Sequence, residues 1–253
     1  MVKGKLDSLA RPLKRHLADR ASGRSGANRM NPARTANTAR AQSTRKRTRI
    51  QEANEEKILD AGLEVFSTYG FRGATVDQIA ALAGMTKPNL LYYFRRKDDI
   101  YLAVLQRTLE MWLQPLAALS AKGDPAAEIT AYIDRKLELS RENPKASRLF
   151  AIEIMQGAPV LGEVLSGRLK ELVDEKAAVI RAWVAAGKLA PIDPYHLIFM
   201  IWATTQHYAD FEVQIRAVLG ERADRSDHFD TARQTLERVF LGGIDGTTTR
   251  SPA

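Results

Sequence analysis

The sequence predicts an all-α protein in which a small helix-turn-helix unit precedes a larger helical domain. After about residue 50, apolar residues recur every three or four positions, which is the spacing of one helix face. No stretch alternates like a half-buried strand, and no internal repeat of about 20 to 50 residues is present. Helix-start signals recur along the chain, at Thr75 with Gln78, at Asp124-Pro125 and at Asp193-Pro194.

The first 48 residues differ in composition from the rest. Residues 1–52 contain 14 Lys and Arg against 3 Asp and Glu, a balance of +11, whereas the other 201 residues contain 24 basic and 27 acidic residues. So polar and Arg-rich a segment buries too little apolar surface to offset chain entropy. We therefore expect residues 1–48 to be a disordered basic tail and residues 246–253 a second, short one.

Three interpretations of the basic tail stay open. Its Arg-rich, acid-poor composition is similar to that of a transit peptide, and a start codon assigned too early is an alternative, because Met30 lies just ahead of the helical part. The third is an arm that binds DNA phosphate without sequence preference. We favour this arm only for residues 45–49, where Arg45 and Arg47 lead directly into the first helix.

The first helix is predicted over residues 50–69 and forms the third wall of the helix-turn-helix core. Gly70 is expected to end it. Its apolar stripe consists of Ile58, Gly62, Val65, Phe66 and Tyr69.

The stretch from Thr75 to Lys97, TVDQIAALAGMTKPNLLYYFRRK, predicts two short helices joined by a tight turn. Thr75 caps the first helix and Thr86 caps the second. Gly84 suits the left-handed residue between them, and Pro88 is tolerated in the first turn of the second helix. A helix, a glycine-containing turn and a helix make a helix-turn-helix unit.

In such a unit the second helix enters the major groove with its N-terminal residues leading. Thr86, Lys87 and Asn89 are therefore expected to meet base edges. A lysine suits the O6 and N7 acceptors of guanine, and an asparagine pairs twice with adenine. By spacing alone, an ordinary helical hairpin with a polar surface explains the pattern equally well.

The residues themselves favour the DNA-binding interpretation. The pattern G-x-x-x-x-T-V-x-x-I-A-x-x-A-G-M-T-K-x-x-L-L-Y-Y-F-x-x-K, within residues 58 to about 104, resembles the amino-terminal domain of the TetR family of bacterial transcriptional regulators. The resemblance implies a TetR-like fold, double-stranded operator DNA as partner, and a DNA-binding domain over residues 49–97. It also implies phosphate contacts from Thr75, Tyr92 and Lys97, and Tyr93 is included in the same surface.

Residues 98–245 are expected to form a helical effector-binding and dimerisation domain. Its helices are predicted at about 98–118, 125–143, 146–156, 161–186, 194–218 and 227–241. The segment Leu197–Ala203 is apolar on all sides, so more than one of its faces has to be covered. A homodimer through the last two helices provides this cover and, as in TetR-like proteins, sets two recognition helices on a palindromic operator.

An effector pocket is predicted around Trp112, Trp202 and Gln206. Gln206 follows Trp202 by one helical turn and shares its face, and Trp112 lies on the helix after Lys97. Indole walls with one amide, which offers a donor and an acceptor, suit a flat cyclic imide such as uracil. By chemistry alone, core packing of both tryptophans explains the pattern better.

A second resemblance favours the pocket. The segments MWLQPL, SRLFAIEIMQGAP and IFMIWATTQHYADF are similar to the TetR regulators of pyrimidine utilisation. Similarity to them implies uracil or thymine as the effector, release from the operator on binding, no other cofactor, and Trp112, Trp202 and Gln206 as ligand-binding residues.

Several classes of function are disfavoured. There is no cysteine, the four histidines show no metal-ligand spacing, and no nucleophile elbow or phosphate loop is present. We therefore expect no enzyme, no metal site and no membrane segment, but a regulator, most often a repressor, at the nucleoid in the cytoplasm. Two alternatives stay open: a TetR-type repressor that senses a different amphipathic or apolar effector, and a nucleoid protein that binds any duplex through its basic tail.

Overall fold

The computed structural model describes residues 49–224 and 228–244, and every regular element in this part is helical. Both predicted tails, with Arg45 and Arg47, lie outside the described residues. The elements are α1 (Arg49–Gly73), α2 (Val76–Leu82), α3 (Lys87–Tyr93), α4 (Lys97–Ala118), α5 (Pro125–Glu142), α6 (Pro144–Met155), α7 (Gly162–Val164), a π-helical turn (Leu165–Leu169), α8 (Lys170–Ala185), α9 (Pro194–Asp210), α10 (Glu212–Leu219), a 3-10 turn (Gly220–Asp224) and α11 (His228–Ile244).

The helices α1, α2 and α3 pack around one apolar cluster against the first half of α4. Gly62 lets α1 approach α4 closely, since a Cβ there would lie 3.0 Å from the Ile100 side chain. Gly70 has φ 66°, so the regular helix ends there as predicted and one more turn follows. Tyr69 is a correction to the predicted stripe, because its side chain is 56% exposed. The cluster contains Ile58, Val65, Phe66, Ile79, Leu90, Ile100 and Val104.

The capping residues predicted for α2 and α3 are in place. Thr75 and Gln78 form a reciprocal capping box, in which the backbone N–H of Gln78 donates to the Thr75 hydroxyl at 3.2 Å. Gly84 has φ 68°, and the Thr86 hydroxyl accepts a hydrogen bond from the Asn89 N–H at 3.4 Å. These local bonds hold the start of α3 at the surface.

The larger domain is built on α5 and α9, which pack face to face against the second half of α4, α8 and α11. Asp124 and Asp193 cap α5 and α9, each followed by the predicted proline. The buried cluster contains Leu116, Ile129, Tyr132, Ile133, Ile180, Trp183, Leu197, Ile198, Ile201 and Phe240.

Two predicted helices are wrong in detail. The helix expected over residues 161–186 is interrupted by the π-helical turn Leu165–Leu169. The helix expected to reach Val218 ends at Asp210, and α10 starts two residues later. Tertiary contacts hold this break: Arg148 on α6 donates to the Ala209 carbonyl at 3.2 Å and pairs with Glu212 at 3.1 Å.

None of the described helices combines the length and the apolar character needed to cross a bilayer. The apolar face predicted on α9 is only partly covered within one chain. Phe199 and Met200 are 47% and 51% exposed, and Val239 on α11 is 61% exposed.

Candidate DNA-binding surface and effector pocket

The start of α3 presents the side chains that were predicted to meet bases. Thr86, Lys87 and Asn89 are all exposed, as are Thr75 before α2 and Tyr92 near the end of α3. Because α3 is held by α1 and α2 from behind, this side of the unit is free to approach a groove. The structure thus leaves all five side chains accessible to solvent, and their contacts with DNA stay a prediction.

Lys87 already has an acidic neighbour on this surface. Its Nζ lies 2.9 Å from the Asp77 carboxylate on α2, and both side chains are about half exposed or more. An exposed pair of this kind contributes about 0–1 kcal/mol. Lys87 therefore contacts Asp77 in the free protein but can exchange it for a base or a phosphate at little cost in free energy.

The two tyrosines of α3 play different structural parts. Tyr93 is partly buried, and its hydroxyl accepts a hydrogen bond from the Asn54 side-chain amide on α1 at 2.8 Å. Tyr92 is 72% exposed and lies edge-on to the Tyr93 ring, with the centroids 5.3 Å apart. Tyr93 thus orients the outer tyrosine, whose hydroxyl is the one free to meet a phosphate.

Lys97 is bound more tightly to the protein than its predicted role suggests. Its Nζ donates to the Phe71 carbonyl at 2.7 Å and to the Ala74 carbonyl at 2.8 Å, and it lies 4.5 Å from the centre of the Phe71 ring. An ammonium has three N–H donors, so one donor remains for a phosphate. Lys97 consequently links the end of α1, and Ala74 just after it, to the start of α4.

Trp112 lies in the interior of the larger domain, with an unusual neighbour. Its side chain is 4% exposed, and its indole N–H is buried with no hydrogen-bond partner among the described residues. Above its ring, at 3.7 Å from the centroid, lies the Nζ of Lys136 on α5. Burial lowers the pKa of Lys136 well below its ordinary value, and the charge of Asp210 opposes this shift.

Trp202 on α9 contacts α5 one turn before Lys136. Its indole N–H donates to the Tyr132 hydroxyl at 2.6 Å, and Tyr132 precedes Lys136 by four residues, which places both on one face of α5. Burial raises the pKa of the Tyr132 phenol. The two indoles predicted to form a pocket therefore contact adjacent turns of one helix.

Gln206 lies on the stripe of α9 that faces this region. Trp202, Gln206 and Asp210 follow one another at intervals of four residues, so they share a face. Trp202 contacts α5 through Tyr132, and Asp210 acts on Lys136 by its charge. Gln206 lies between these two positions, half-buried. The structure therefore places Gln206 near the α5 residues that both indoles contact, and an effector pocket between them stays a prediction.

Sequence reasoning missed Tyr132 and Lys136. A signal for Lys136 was available, because it interrupts the apolar stripe that Ile129, Ile133 and Leu137 form on α5. A charged residue at a core position of an otherwise amphipathic helix is unusual. Tyr132 gave no such signal, because a tyrosine on the apolar face of a helix is explained by ordinary packing.

A cavity lies elsewhere in the domain. It measures about 430 Å³, is open to the surface, and lies between α9, α10 and α11. A small planar ligand is normally enclosed over most of its surface, which this cavity does not provide. Its lining includes His207, Tyr208, Ile215, Val218, Leu219 and His228, and neither indole of the predicted pocket.

Two protein families match the chain. Residues 58–104 match the family described as "Bacterial regulatory proteins, tetR family", and residues 105–247 match the one described as "YcdC-like protein, C-terminal region". The boundary between the two matches falls within α4.

Individual proteins are similar over most of the chain. The HTH-type transcriptional regulator RutR of Escherichia coli (strain K12) is 50% identical over 202 residues, which cover 80% of this chain and 95% of that protein. The HTH-type transcriptional repressor SCO4008 of Streptomyces coelicolor is 31% identical over 76% of this chain and 97% of its own length. The solved structure of the fatty acid degradation regulator FadR from Bacillus halodurans shares the fold, with a TM-score of 0.59 at 19% identity, over 79% of this chain and 98% of that one.

Proposed function

Because the chain belongs to the TetR family and is a DNA-binding transcriptional regulator of that type, we propose that it controls pyrimidine utilisation and leaves its operator when it binds uracil or thymine. The observation that carries this proposal is the 50% identity to RutR over 80% of the chain. It is joined by the contacts of Trp112 and Trp202 with Lys136 and Tyr132, which lie on adjacent turns of α5. We assign DNA recognition to residues 49–97 and effector binding and dimerisation to residues 98–245.

The chemistry of the pocket supports a cyclic imide. The Gln206 side chain offers an amide N–H and an amide oxygen side by side. These match the adjacent carbonyl and ring N–H of uracil, and the two indoles supply flat apolar walls. Cytosine lacks the ring N–H next to its amino group, so we expect it to be a poor effector. The methyl group of thymine adds apolar surface without changing the imide.

The DNA-binding surface supports a sequence-specific operator. Lys87 and Asn89 at the start of α3 have the donor patterns that read guanine and adenine in the major groove. We assign phosphate contacts to Thr75, Tyr92 and Lys97, and by composition alone to Arg45 and Arg47, which lie outside the described residues. Base contacts specify the sequence and phosphate contacts position the protein.

Homodimerisation through α9 and α11 completes the proposal. Phe199, Met200 and Val239 leave about half or more of their side chains exposed in one chain. A second copy related by a twofold axis covers such a face with the same face of its own. Two recognition helices then bind the half-sites of a palindromic operator, and the protein acts at the nucleoid in the cytoplasm.

As mechanism, the effector shifts the dimer between two spacings of its recognition helices. A ligand moves such an equilibrium only if it binds one arrangement more tightly than the other. Uracil therefore has to favour the arrangement that does not fit the operator. The helix α4 is suited to transmit the shift, because it runs from the DNA-binding core to the Trp112 region.

The test is a calorimetric titration of the full chain with uracil, thymine and cytosine, combined with operator release. We expect saturable uracil binding near one molecule per subunit, little heat with cytosine, and no uracil response in Gln206→Ala. Thr204→Ala is the matched control, since Thr204 is on α9 and its hydroxyl bonds to the Met200 carbonyl of the same helix at 2.8 Å. If no pyrimidine binds, the protein is a TetR-type regulator with a different effector.

A further inference from the structure

Two lysine side chains are buried in the described part of the effector domain, and their surroundings differ. Lys176 is 7% exposed, and its Nζ donates to the Leu119 carbonyl at 3.1 Å and lies 3.0 Å from the Glu175 carboxylate. Lys136 is 1% exposed, and its Nζ lies over the Trp112 ring at 3.7 Å. Lys176 is thus satisfied by the protein, whereas Lys136 faces an aromatic ring.

The Trp112 ring attracts the Lys136 amine electrostatically but offers it no oxygen or nitrogen acceptor. We find no hydrogen-bond acceptor for its Nζ among the described residues, although an ammonium carries three N–H groups. The carboxylate of Asp210 acts on it by charge, but that carboxylate accepts a hydrogen bond from Ser147 at 2.6 Å. A buried amine with unused donors is costly, and such groups concentrate at functional sites.

A second unused donor belongs to the same indole. The indole N–H of Trp112 is buried and unpartnered, and its ring is the surface that Lys136 covers. Lys136 and Trp112 thus both carry donors for which the described residues provide no acceptor. A ligand that complements it brings acceptor oxygens on a flat ring.

We propose that Lys136 is a specificity-determining residue of the effector pocket and donates a hydrogen bond to a ring carbonyl oxygen of the pyrimidine. The proposal rests on the proposed function and deepens it. Gln206 reads one carbonyl and the ring N–H beside it, and Lys136 reads the carbonyl on the other side of that N–H. The pocket then recognises a dione ring, with two carbonyls flanking one N–H, and not merely one amide edge.

The first test uses the unmodified protein and replaces the carbonyl oxygens of the ligand one at a time. Sulfur is a much weaker acceptor than oxygen, so either 2-thiouracil or 4-thiouracil loses the bond to Lys136. A hydrogen bond to a charged group is equivalent to about 10- to 100-fold in affinity. Because Gln206 reads the other carbonyl, both analogues should bind more weakly than uracil. The sensitive analogue, whose sulfur faces Lys136, should do so by that factor. Equal affinities for uracil and both analogues would overturn the proposal.

The second test removes the ammonium. Lys136→Met keeps an unbranched stem over Trp112 without a donor, and it should weaken uracil binding by about 10- to 100-fold and abolish the discrimination against the sensitive analogue. Lys176→Met is the matched control, a buried lysine away from the two indoles, and should change uracil affinity by less than about twofold. Thermal melting of each dimer shows that it is folded.

The outcomes separate this proposal from the proposed function. If Gln206→Ala abolishes uracil binding while Lys136→Met binds uracil normally and still discriminates the analogue, the pocket is right and the role of Lys136 is wrong. If the unmodified protein binds no pyrimidine, both are wrong.

Discussion

The Tyr101 phenol donates a hydrogen bond to the Glu153 carboxylate at 3.2 Å and so connects α4 to α6. Glu153 is 1% exposed, and its other oxygen accepts from the Val160 N–H at 2.7 Å and from the Leu161 N–H at 3.3 Å. The Tyr101 ring packs edge-on against Phe66 in the DNA-binding core, with centroids 5.0 Å apart. One buried carboxylate thus ties that core to α6 and the loop after it.

Replacing Tyr101 by Phe should destabilise the protein. The change leaves the ring packing intact but removes the one side-chain donor to the buried Glu153 found within residues 49–224 and 228–244. Leaving a buried acceptor short of a partner costs about 1–3 kcal/mol. Urea denaturation should show this loss in the free energy of unfolding. Tyr69→Phe, at a position that is 56% exposed, serves as control and should change it by less than about 0.5 kcal/mol.

Asp77→Asn should strengthen DNA binding, because it removes a negative charge from the surface and frees Lys87 from its ion pair at 2.9 Å. The affinity for operator and for random duplexes should both increase, measured as dissociation constants at several salt concentrations.

Lys87→Ala should instead weaken operator binding by about 1–3 kcal/mol and weaken binding to random DNA by less. The control is Glu138→Gln, which breaks another exposed pair, with Arg135, on α5. A Lys87→Ala variant with unchanged discrimination would show that Lys87 touches no base.

Lys136→Met should stabilise the free protein, by an amount that depends on pH. Burial depresses the pKa of Lys136 in the folded state, with Asp210 opposing the shift. Above the ordinary lysine pKa of about 10.4, the residue is neutral in both the folded and the unfolded protein and does not lower the free energy of unfolding. As the pH falls from there toward the depressed folded pKa, the unfolded protein takes up a proton that the folded protein does not, so the free energy of unfolding decreases. Below that value the penalty is constant.

The measurement is the melting temperature of both proteins between neutral pH and about pH 10.5. Lys136→Met should melt higher at neutral pH, by about 2–4 °C for each kcal/mol gained, and the difference should shrink as the pH rises. A difference that does not change with pH would mean that the pKa of Lys136 is not lowered in the folded protein.

Met200→Glu should disrupt the dimer. Met200 is 51% exposed on α9, in the apolar face that a second copy is proposed to cover. A carboxylate buried there would be desolvated without a partner, which is strongly unfavourable. Sedimentation should show monomers at concentrations where the unmodified protein is dimeric, and operator affinity should fall with it. Met155→Glu on α6, where the side chain is 75% exposed, is the control and should remain dimeric.

Local chemistry explains which predictions succeeded. The starts of α2, α3, α5 and α9 were predicted correctly because each is decided by a few neighbouring residues, as with Thr75 and Gln78 or Asp193 and Pro194. The end of α9 was not, because Phe211 carries no helix-stop signal of its own. Its break is held by Arg148, which is distant in the chain.

The sequence by itself determined the helical class, the helix-turn-helix unit, the residues that α3 exposes, and the identity of Trp112, Trp202 and Gln206 as candidates for a pocket. Hydrophobic period and capping chemistry act within a few residues, so they can be read without a fold. Only the tertiary structure decided that Lys136 lies against Trp112, that Tyr132 bonds to Trp202, and that Lys97 and Asp77 already engage the chain around the DNA surface. These contacts join residues from different helices, and burial, which sets the charge and donor balance of the pocket, exists only once those helices have packed.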